Sequence, residues 1–289
     1  MNDEIAKRID NIRDDRLHGA GWIAAYAVET LVQAILDSSR KDIPGILEEA
    51  STVLDSITAA RKNMVYITNT AYLFLSGISR LKGFESDVKC FKEDIAERGQ
   101  IYLEKMEASA ESAAANAATM IFKGDTVLTC SYSSMLVRTF LAAKNRNPSF
   151  RVLVCRSSFH GIDYSENLKA DMDRHGIKNT ILEDTEIGKY AETANEVMIG
   201  ADAVLPAGDL VNGSPSLLLA EAAWNAGICT FIVCEDAKFD SRKMIDTAAL
   251  EPGFDLVPAG LWTAIITESG KIAPAEFREH LKYLEVLYK

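Results

Sequence analysis

The sequence predicts an α/β protein in which an all-helical N-terminal domain, residues 1–119, precedes a Rossmann-like parallel sheet domain with helices on both faces, residues 120–289. Through the first part, apolar residues recur at spacings of three and four, which is typical of amphipathic helices. From residue 124 onward, short continuous apolar runs alternate with helical patterns, as in parallel sheets covered on both faces. A chain of 289 residues, 48% apolar and 25% charged, has room for two ordinary globular domains.

The predicted helices of the first domain lie in three long amphipathic segments, at residues 22–39, 45–62 and 87–121. The alanine-rich stretch at 108–118 favours helix intrinsically and is expected to connect the two domains.

The predicted strands are six apolar runs in the second domain. Ligands of such sheets bind beyond the carboxyl ends of the strands, so the residues that follow each run are the first candidates for a site. The runs are TVLTCS (126–131), RVLVCRS (151–157), NTILEDT (179–185), DAVLPAG (202–208), CTFIVCED (229–236) and AIITES (264–269).

The charge balance argues against several classes of partner. The net charge of -11 argues against direct nucleic-acid binding through bulk charge, but it allows an anionic ligand held by a few local cations. The chain has no run of about 18 apolar residues, and it begins with the polar segment MNDEIAKRID. We therefore expect no membrane span, no signal peptide and a cytoplasmic location.

Metal and cofactor sites are not expected either. The five cysteines form no CxxC pair, and the four histidines form no HxxxH pair, so a structural zinc site lacks its usual ligands. The GxGxxG, P-loop and GxSxG motifs are absent from the sequence as well.

A scattered set of polar residues lies at the ends of the predicted strands, with Asp202 at the start of the run 202–208, and each has an ordinary structural explanation beside a functional one. Asp202 is either a turn carboxylate or an acid–base group. Ser131, Ser133 and Ser134 are either helix caps or part of a phosphate site at a helix N-terminus. Arg156 and Lys238 are either solvated surface charges or ligand contacts.

Several motifs, in order and over nearly the whole length, resemble a known superfamily. It contains the alpha, beta and delta subunits of eukaryotic translation initiation factor 2B, ribose-1,5-bisphosphate isomerase and methylthioribose-1-phosphate isomerase. The motifs are DRLHGAGWIA (15–24), AARKNMVYITN (59–69), VLTCSYSS (127–134), CRSSFHG (155–161), IGADAVLPAGDLVNGSPS (199–216) and CEDAKFD (234–240).

The resemblance implies acid–base chemistry on a sugar that carries phosphate at its anomeric carbon. The isomerases use a cysteine at the first strand end and an aspartate in the GAD motif, and Asp202 matches that aspartate. Ser131 stands where the family has its cysteine, and a hydroxyl is far less acidic than a thiol, whose ordinary pKa is about 8.5. Cys130 is one residue away, but adjacent strand residues point to opposite faces.

The resemblance also implies the residues that hold phosphate. His18 replaces the arginine of the family's RGA segment, His160 replaces a glutamine, and Gly213 replaces a lysine. We expect the retained Arg61, Arg156 and Lys238 to form one local anion site. If both histidines face it, anion binding should strengthen as the pH falls through about 6.5, whereas surface histidines would give no such effect. The other matched binding residues are Gly19, Ala20, Gly21, Ser133, Ser134 and Asn212.

Two functions follow from the resemblance. The first is an isomerase that converts an aldose 1-phosphate of the ribose-1,5-bisphosphate kind to a ketose phosphate. The alternative is a non-catalytic regulatory subunit of the initiation factor 2B type that binds a nucleotide or sugar phosphate. Both imply a homodimer or homohexamer. The C-terminal stretch 276–289, with Leu281, Leu284 and Leu287 on one helical face and Tyr283 and Tyr288 nearby, is either part of that interface or a helix packed on its own sheet.

Overall fold

The computed structural model describes residues 2–15, 18–62, 64–81, 87–146 and 149–287. It divides the chain into two units, Met1–Ala108 and Ser109–Lys289. The predicted domain boundary after residue 119 stays a prediction, because one long helix runs through this part of the chain.

The N-terminal unit consists of helices. Asn2 caps the first helix by accepting a hydrogen bond from the Ile5 amide, and Asp42 does the same for Gly45 at the start of the third. The apolar stripe of the second helix, which includes Leu31 and Ile35, is fully buried against its neighbours. The helices are α1 (Asp3–Asp14), α2 (Ala20–Asp37), α3 (Ile43–Ala60), α4 (Val65–Ser79) and α5 (Val88–Ala118), the last of which continues into the second unit.

The C-terminal unit is built on strands joined by helices. Its strands are β1 (Thr126–Cys130), β2 (Arg151–Cys155), β3 (Ser158–Phe159), β4 (Ile162–Asp163), β5 (Lys178–Leu182), β6 (Glu196–Ile199), β7 (Ala203–Val204), β8 (Leu210–Gly213), β9 (Cys229–Val233), β10 (Phe254–Val257), β11 (Ala264–Thr267) and β12 (Gly270–Ile272). Its helices are α6 (Ser134–Arg146), α7 (Tyr164–Arg174), α8 (Ile187–Ala191), α9 (Ser216–Ala226) and α10 (Phe277–Leu287).

Seven strands form the main sheet in the order β12-β11-β9-β6-β1-β2-β5. The neighbouring pairs are parallel except β11 with β12, which form an antiparallel edge. The predicted fold class, a helical region followed by a mostly parallel sheet with helices, is confirmed.

One predicted strand belongs elsewhere. The run 202–208 contributes β7 to a separate antiparallel sheet, β10-β8-β7, and not to the main sheet. The strand that takes its place is β6, at the end of a segment whose pattern predicts helix. The reason is that the short apolar run Val197–Ile199 fits a buried strand as well as a buried helix.

The C-terminal helix α10 packs on its own unit through Phe277, Leu281 and Leu284, which are buried. Leu287 does not share that environment, since it is 46% exposed and lies beside the exposed Tyr283 and Val286. Tyr288 lies outside the described residues. The predicted single face of three leucines is therefore split between the unit's own core and its surface.

Within the part of the chain that the structure covers, no helix has both the length and the apolar character needed to cross a bilayer.

Candidate functional site

The carboxyl ends of β1, β6 and β8 bring several predicted residues together. A Cβ placed on Gly213 would lie 2.7 Å from the Ser131 Oγ, and a Cβ on Gly200 would lie 2.8 Å from the Ser133 Oγ and 3.9 Å from the Asn212 Oδ1. Glycine at positions 200 and 213 therefore leaves room for two serine hydroxyls at this edge of the sheet. These five residues form the centre of the candidate site.

Ser131 occupies an unusual backbone conformation directly after β1. Its φ angle is 59°, in the left-handed region that side chains other than glycine rarely adopt. Such conformations persist where the surrounding structure holds them, and they are concentrated at functional sites. The turn separates Ser131 from the regular alternation of β1 and leaves its hydroxyl half-buried beside Gly213.

Cys130, the residue before Ser131, contacts a hydrogen-bond network centred on Ser216. Its thiol is buried, and the Sγ lies 3.3 Å from the Ser216 Oγ. The Ser216 hydroxyl also accepts a hydrogen bond from the Asn212 amide nitrogen at 2.7 Å and donates to the Gly213 carbonyl at 2.6 Å. Burial raises the pKa of the Cys130 thiol to about 12, so it stays protonated at neutral pH.

Ser216 was not among the predicted site residues. Its position at the end of the GAD-containing motif is the signal that could have identified it. Because its hydroxyl binds the Asn212 amide, Ser216 fixes which way that amide is turned.

Asp202 follows β6 and is held by its backbone, since its amide donates to the Val211 carbonyl at 2.9 Å. The residue is half-buried. Desolvation raises the pKa of its carboxyl group, and the positive charge of Lys238 opposes part of that shift. A raised pKa makes an ionised carboxyl group a stronger base, which suits an acid–base residue.

Lys238 lies at the end of a short 3-10 turn, Asp236–Lys238, that follows β9. Only 7% of the residue is exposed. A buried ammonium needs anionic or polar partners, and the carboxylate of Asp202 is close enough to act on it electrostatically. The structure therefore brings the predicted aspartate and one predicted cation to the same place.

Arg156 is differently placed. Its Nε donates to Glu183 and its Nη1 donates to Asp163, both at 2.8 Å, and these carboxylates raise the pKa of the guanidinium. Its charge is thus balanced by two acidic side chains beyond β2 and β5. The expectation that Arg156 supplies charge to an anionic ligand stays a prediction.

His160 lies at the tip of the β3–β4 hairpin, where His160 and Gly161 have φ angles of 50° and 78°. Two consecutive left-handed residues match the tight turn that joins short antiparallel strands. The His160 side chain is exposed, and its ring lies 4.0 Å from that of Phe159. Phe159 in turn covers Gly253, where a Cβ would lie 2.9 Å from the phenyl ring.

Two helix N-termini near the site are capped by the chain itself. The Ser133 hydroxyl accepts from the Leu136 amide at the start of α6, and Ser134 is exposed in the first turn. At the start of α9, after the cis Ser214–Pro215 peptide, the carboxylate of Asp255 accepts from the Leu217 amide at 3.0 Å. Asp255 lies outside the recognised motifs, and it reaches the start of α9 because β10 pairs with β8.

The remaining predicted residues lie in the N-terminal unit. The His18 Nδ1 lies 2.7 Å from a carboxylate oxygen of Asp15, and the His18 ring stacks on Trp22 with the ring centroids 3.8 Å apart. Gly19 precedes α2, and Ala20 and Gly21 form its first turn. Arg61 donates from its Nε to the Ile12 carbonyl at 2.9 Å and from a second nitrogen to the Asp15 carbonyl. These contacts place Arg61 at the C-terminus of α1, where a cation is favourable.

Asp15 and Trp22 were missed as partners of His18, although both flank it in the RGA-like segment. No group of three or more His, Cys, Asp or Glu side chains is arranged to hold a metal ion among the residues described.

Comparison with known proteins agrees with this architecture. An eIF-2B subunit 2-like protein of Pyrococcus abyssi is 25% identical over 95% of this chain and 98% of its own length. The ribose 1,5-bisphosphate isomerase of Methanocaldococcus jannaschii is 24% identical over 94% of this chain and 92% of its own length.

Two solved structures share the fold. The translation initiation factor eIF-2B structure from Pyrococcus horikoshii has a TM-score of 0.78 at 22% identity, covering 95% of this chain and 98% of its own. The tetrameric eIF2B-beta2-delta2 complex from C. thermophilum contains a chain with a TM-score of 0.82 at 20% identity, covering 99% of this chain and 94% of its own.

The sequence profile of the initiation factor 2 subunit family matches residues 16–251, which is most of the chain. The resemblance drawn from the motifs is thereby confirmed, and the protein belongs to the initiation factor 2 subunit family.

Proposed function

We propose that the site around Asp202 binds a phosphorylated sugar and isomerises an aldose 1-phosphate of the ribose-1,5-bisphosphate kind to a ketose phosphate. The observation that carries this proposal is the pairing of a half-buried carboxyl group of raised pKa with a buried lysine, at the carboxyl end of a parallel sheet. Relatives named ribose 1,5-bisphosphate isomerase, alignable over nearly the whole chain, support the choice of substrate class.

The proposed reaction needs two proton-transfer groups. A phosphate on the anomeric oxygen locks the furanose ring. An acid therefore first protonates the ring oxygen, and the bond between C1 and the ring oxygen breaks. A base then removes the proton from C2, which leaves an enol phosphate across C1 and C2. Return of that proton to C1 and loss of the proton from the 2-hydroxyl give the ketone at C2. The acid recovers its proton from the 2-hydroxyl in the last step, so the proton transfers of the reaction balance.

Asp202 suits the role of the base that carries the proton from C2 to C1. A carboxylate in a poorly solvated site is a stronger base than one in water, so its raised pKa favours removal of the proton from C2. The Lys238 ammonium would hold the phosphate or the developing charge near the reacting carbons. Asn212, whose amide is oriented by Ser216, offers its carbonyl oxygen to a sugar hydroxyl.

The site has no efficient proton donor to match Asp202 among the two candidates, Ser131 and Cys130. Ser131 stands at the position of the family's cysteine, and a hydroxyl gives up its proton reluctantly. The neighbouring Cys130 is held in the Ser216 network and keeps its proton. We therefore expect turnover to be slow, and we expect Ser131→Cys to raise it.

A second function is favoured by the same observation about position 131. A chain that binds the ligand but lacks an efficient acid would act as a regulatory subunit that senses a sugar phosphate or a nucleotide. The eIF-2B subunit 2-like relatives support this alternative.

The deciding experiment incubates the protein with a panel of aldose 1-phosphates that includes ribose 1,5-bisphosphate, and it measures the ketose product and the binding affinity separately. We expect product with the natural chain, none with Asp202→Asn, and normal product with the control Glu192→Gln at an exposed carboxylate. Tight binding without product, or binding of a nucleoside phosphate in preference to the sugars, would support the regulatory subunit. Absence of both would contradict the two functions together.

We further propose that the protein self-associates as a homodimer or homohexamer, because a structural neighbour is a tetrameric complex. The exposed Tyr283, Val286 and Leu287 of α10 are candidates for the contact. Light scattering on the natural chain and on Val286→Glu would test this, and a monomeric mass for both would contradict it.

A further inference from the structure

The turn that carries Lys238 is anchored by a second group of charged residues. The Asp236 carboxylate lies 2.8 Å from the His280 Nε2 on α10 and accepts a hydrogen bond from the Ser269 hydroxyl. The Asp236 amide donates to the Glu268 carboxylate at 3.0 Å. None of these anchoring residues belongs to the site predicted from the motifs.

The group is buried and mostly acidic. Asp236 is 9% exposed and Glu235 is 7% exposed. Together with Glu268 and Lys238, these two carboxylates act electrostatically on the thiol of Cys234, so all four charges lie close to one buried atom. Buried charges of one sign are costly without partners, and here the available partners are His280 and Lys238. The position of Lys238 therefore depends on how this group is neutralised.

Lys238 and Asp236 belong to the same short turn, so the surroundings of Asp236 affect the position of Lys238. Asp236 and Lys238 are the first and last residues of one 3-10 turn, closed by a hydrogen bond from the Phe239 amide to the Asp236 carbonyl at 3.1 Å. On its far side the turn is attached to β7, because the Asp240 amide donates to the Val204 carbonyl at 2.8 Å. A shift of Asp236 would thus move Lys238 relative to Asp202, which follows β6.

His280 is also packed where it stands. The His280 ring lies 5.2 Å from that of the fully buried Phe239, in an edge-to-face arrangement. Phe239 also stacks on Phe277, which lies in α10 with His280. The packing fixes the imidazole so that its Nε2 faces the Asp236 carboxylate.

We propose that His280 and Glu268 are positioning residues that act through Asp236 to hold the Lys238 ammonium beside Asp202. This proposal deepens the proposed function of the same site and rests on it, since Lys238 is assigned there to the anionic part of the ligand. It adds α10 and the β11–β12 turn to the parts of the molecule on which ligand binding depends.

A pH dependence follows from the same arrangement. Burial and the negative charge of Asp236 raise the pKa of Glu268 to about 7. The charges that act on Glu268 are those of Asp236 and Glu235 from the turn. Lys238 acts with Glu268 on the Cys234 thiol, and His280 from α10 binds Asp236. As the pH rises through 7, ionisation of Glu268 adds a negative charge near Lys238, so anion binding should weaken.

Hydrogen exchange tests the positioning without any ligand. In His280→Leu, which keeps an apolar side chain against Phe239 but removes the donor, we expect the amides of residues 235–240 to exchange at least tenfold faster. His280→Gln, which retains an N–H donor, should restore slow exchange, and the exposed His175→Gln should change nothing. Unchanged exchange of this segment in a folded His280→Leu protein would overturn the proposal.

Sulfate binding tests the pH dependence, because sulfate keeps its charge between pH 6 and 8 while phosphate does not. We expect the natural chain to bind sulfate about five- to tenfold more weakly at pH 8 than at pH 6, and Glu268→Gln to show less than a twofold change. Equal profiles for the two proteins would overturn the role of Glu268. If the natural chain binds neither sulfate nor a sugar phosphate, the proposed function fails, whereas the exchange experiment still decides whether His280 holds the turn.

Discussion

Arg156 and Lys238 both follow strands of the same parallel sheet, yet their surroundings differ. Arg156 is partly exposed, and two carboxylates, those of Glu183 and Asp163, hold its guanidinium. Lys238 is almost fully buried, in a turn rich in acidic residues and within electrostatic reach of Asp202. An exposed ion pair contributes little, whereas a buried charge strongly affects whatever lies next to it.

The difference shows which cation can influence a ligand. Arg156 has water and two anions as alternatives to a phosphate, so it gains little from binding one. Lys238 is shielded from water, so its charge acts on neighbouring groups with little screening. If the proposed site exists, its affinity should therefore depend far more on Lys238 than on Arg156.

The largest expected effect is that of removing Lys238. Lys238→Met should weaken sugar-phosphate binding by about 100-fold, since hydrogen bonds to charged groups contribute about 1.5–3 kcal/mol. Titration calorimetry measures the affinity, and Lys123→Met, at an exposed lysine of the same unit, serves as the control. A loss of less than threefold in a folded Lys238→Met protein would remove Lys238 from the site.

A second buried ionisable residue, Glu196, extends the comparison. Glu196, at the amino end of β6, is 5% exposed, and its Oε1 has no hydrogen-bond partner among the residues that the structure includes. Burial and the nearby Asp125 raise the pKa of Glu196 to about 8. Because the folded pKa lies above the ordinary value, the folded state binds the extra proton, and stability is lost as the pH rises from about 4.5 through 8.

Glu196→Gln should therefore stabilise the protein at pH 8.5 by about 2 kcal/mol relative to the natural chain, with little difference near pH 4.5. Urea denaturation at the two pH values measures this. The exposed Glu192→Gln should show no such pH-dependent gain. An equal effect of Glu196→Gln at both pH values would show that ionisation of Glu196 is not the cause.

Asp202 should show the same sign, because desolvation raises its pKa and Lys238 offsets only part of that shift. Its pKa is raised, so its ionised form costs stability above the ordinary carboxyl range, and Asp202→Asn should be more stable than the natural chain at pH 7 and not near pH 3.5. Thermal unfolding at both pH values checks this. A loss of stability at pH 7 would mean that the Asp202–Lys238 attraction outweighs desolvation.

The sequence predicted the fold class and most strands of the sheet because continuous apolar runs between helical patterns are a strong local signal. It missed β6, whose three apolar residues, Val197–Ile199, are compatible with either kind of element. The sequence therefore placed Asp202 at the start of the run 202–208, whereas the structure places it after β6.

The details of the site were less predictable, since they depend on contacts between distant segments. Asp255 reaches the start of α9 only through the pairing of β10 with β8, and His280 reaches Asp236 across 44 residues. The sequence also gives Arg156 and Lys238 equal weight, because the carboxylates that neutralise Arg156 come from positions 163 and 183.

The smallest expected effect is that of Arg156. Arg156→Gln should change sugar-phosphate affinity by less than threefold, because the guanidinium that it removes is already bound to Glu183 and Asp163. Calorimetry under the conditions used for Lys238→Met makes the two values directly comparable.

Glu183→Gln provides the opposite test, since it frees one edge of the Arg156 guanidinium for an anion. If Glu183→Gln strengthens binding and Arg156→Gln abolishes that gain, Arg156 lies within reach of the ligand and is restrained by its carboxylates. If Arg156→Gln alone costs as much as Lys238→Met, the distinction between the two cations is wrong, and the three-cation anion site expected from the motifs is the better description.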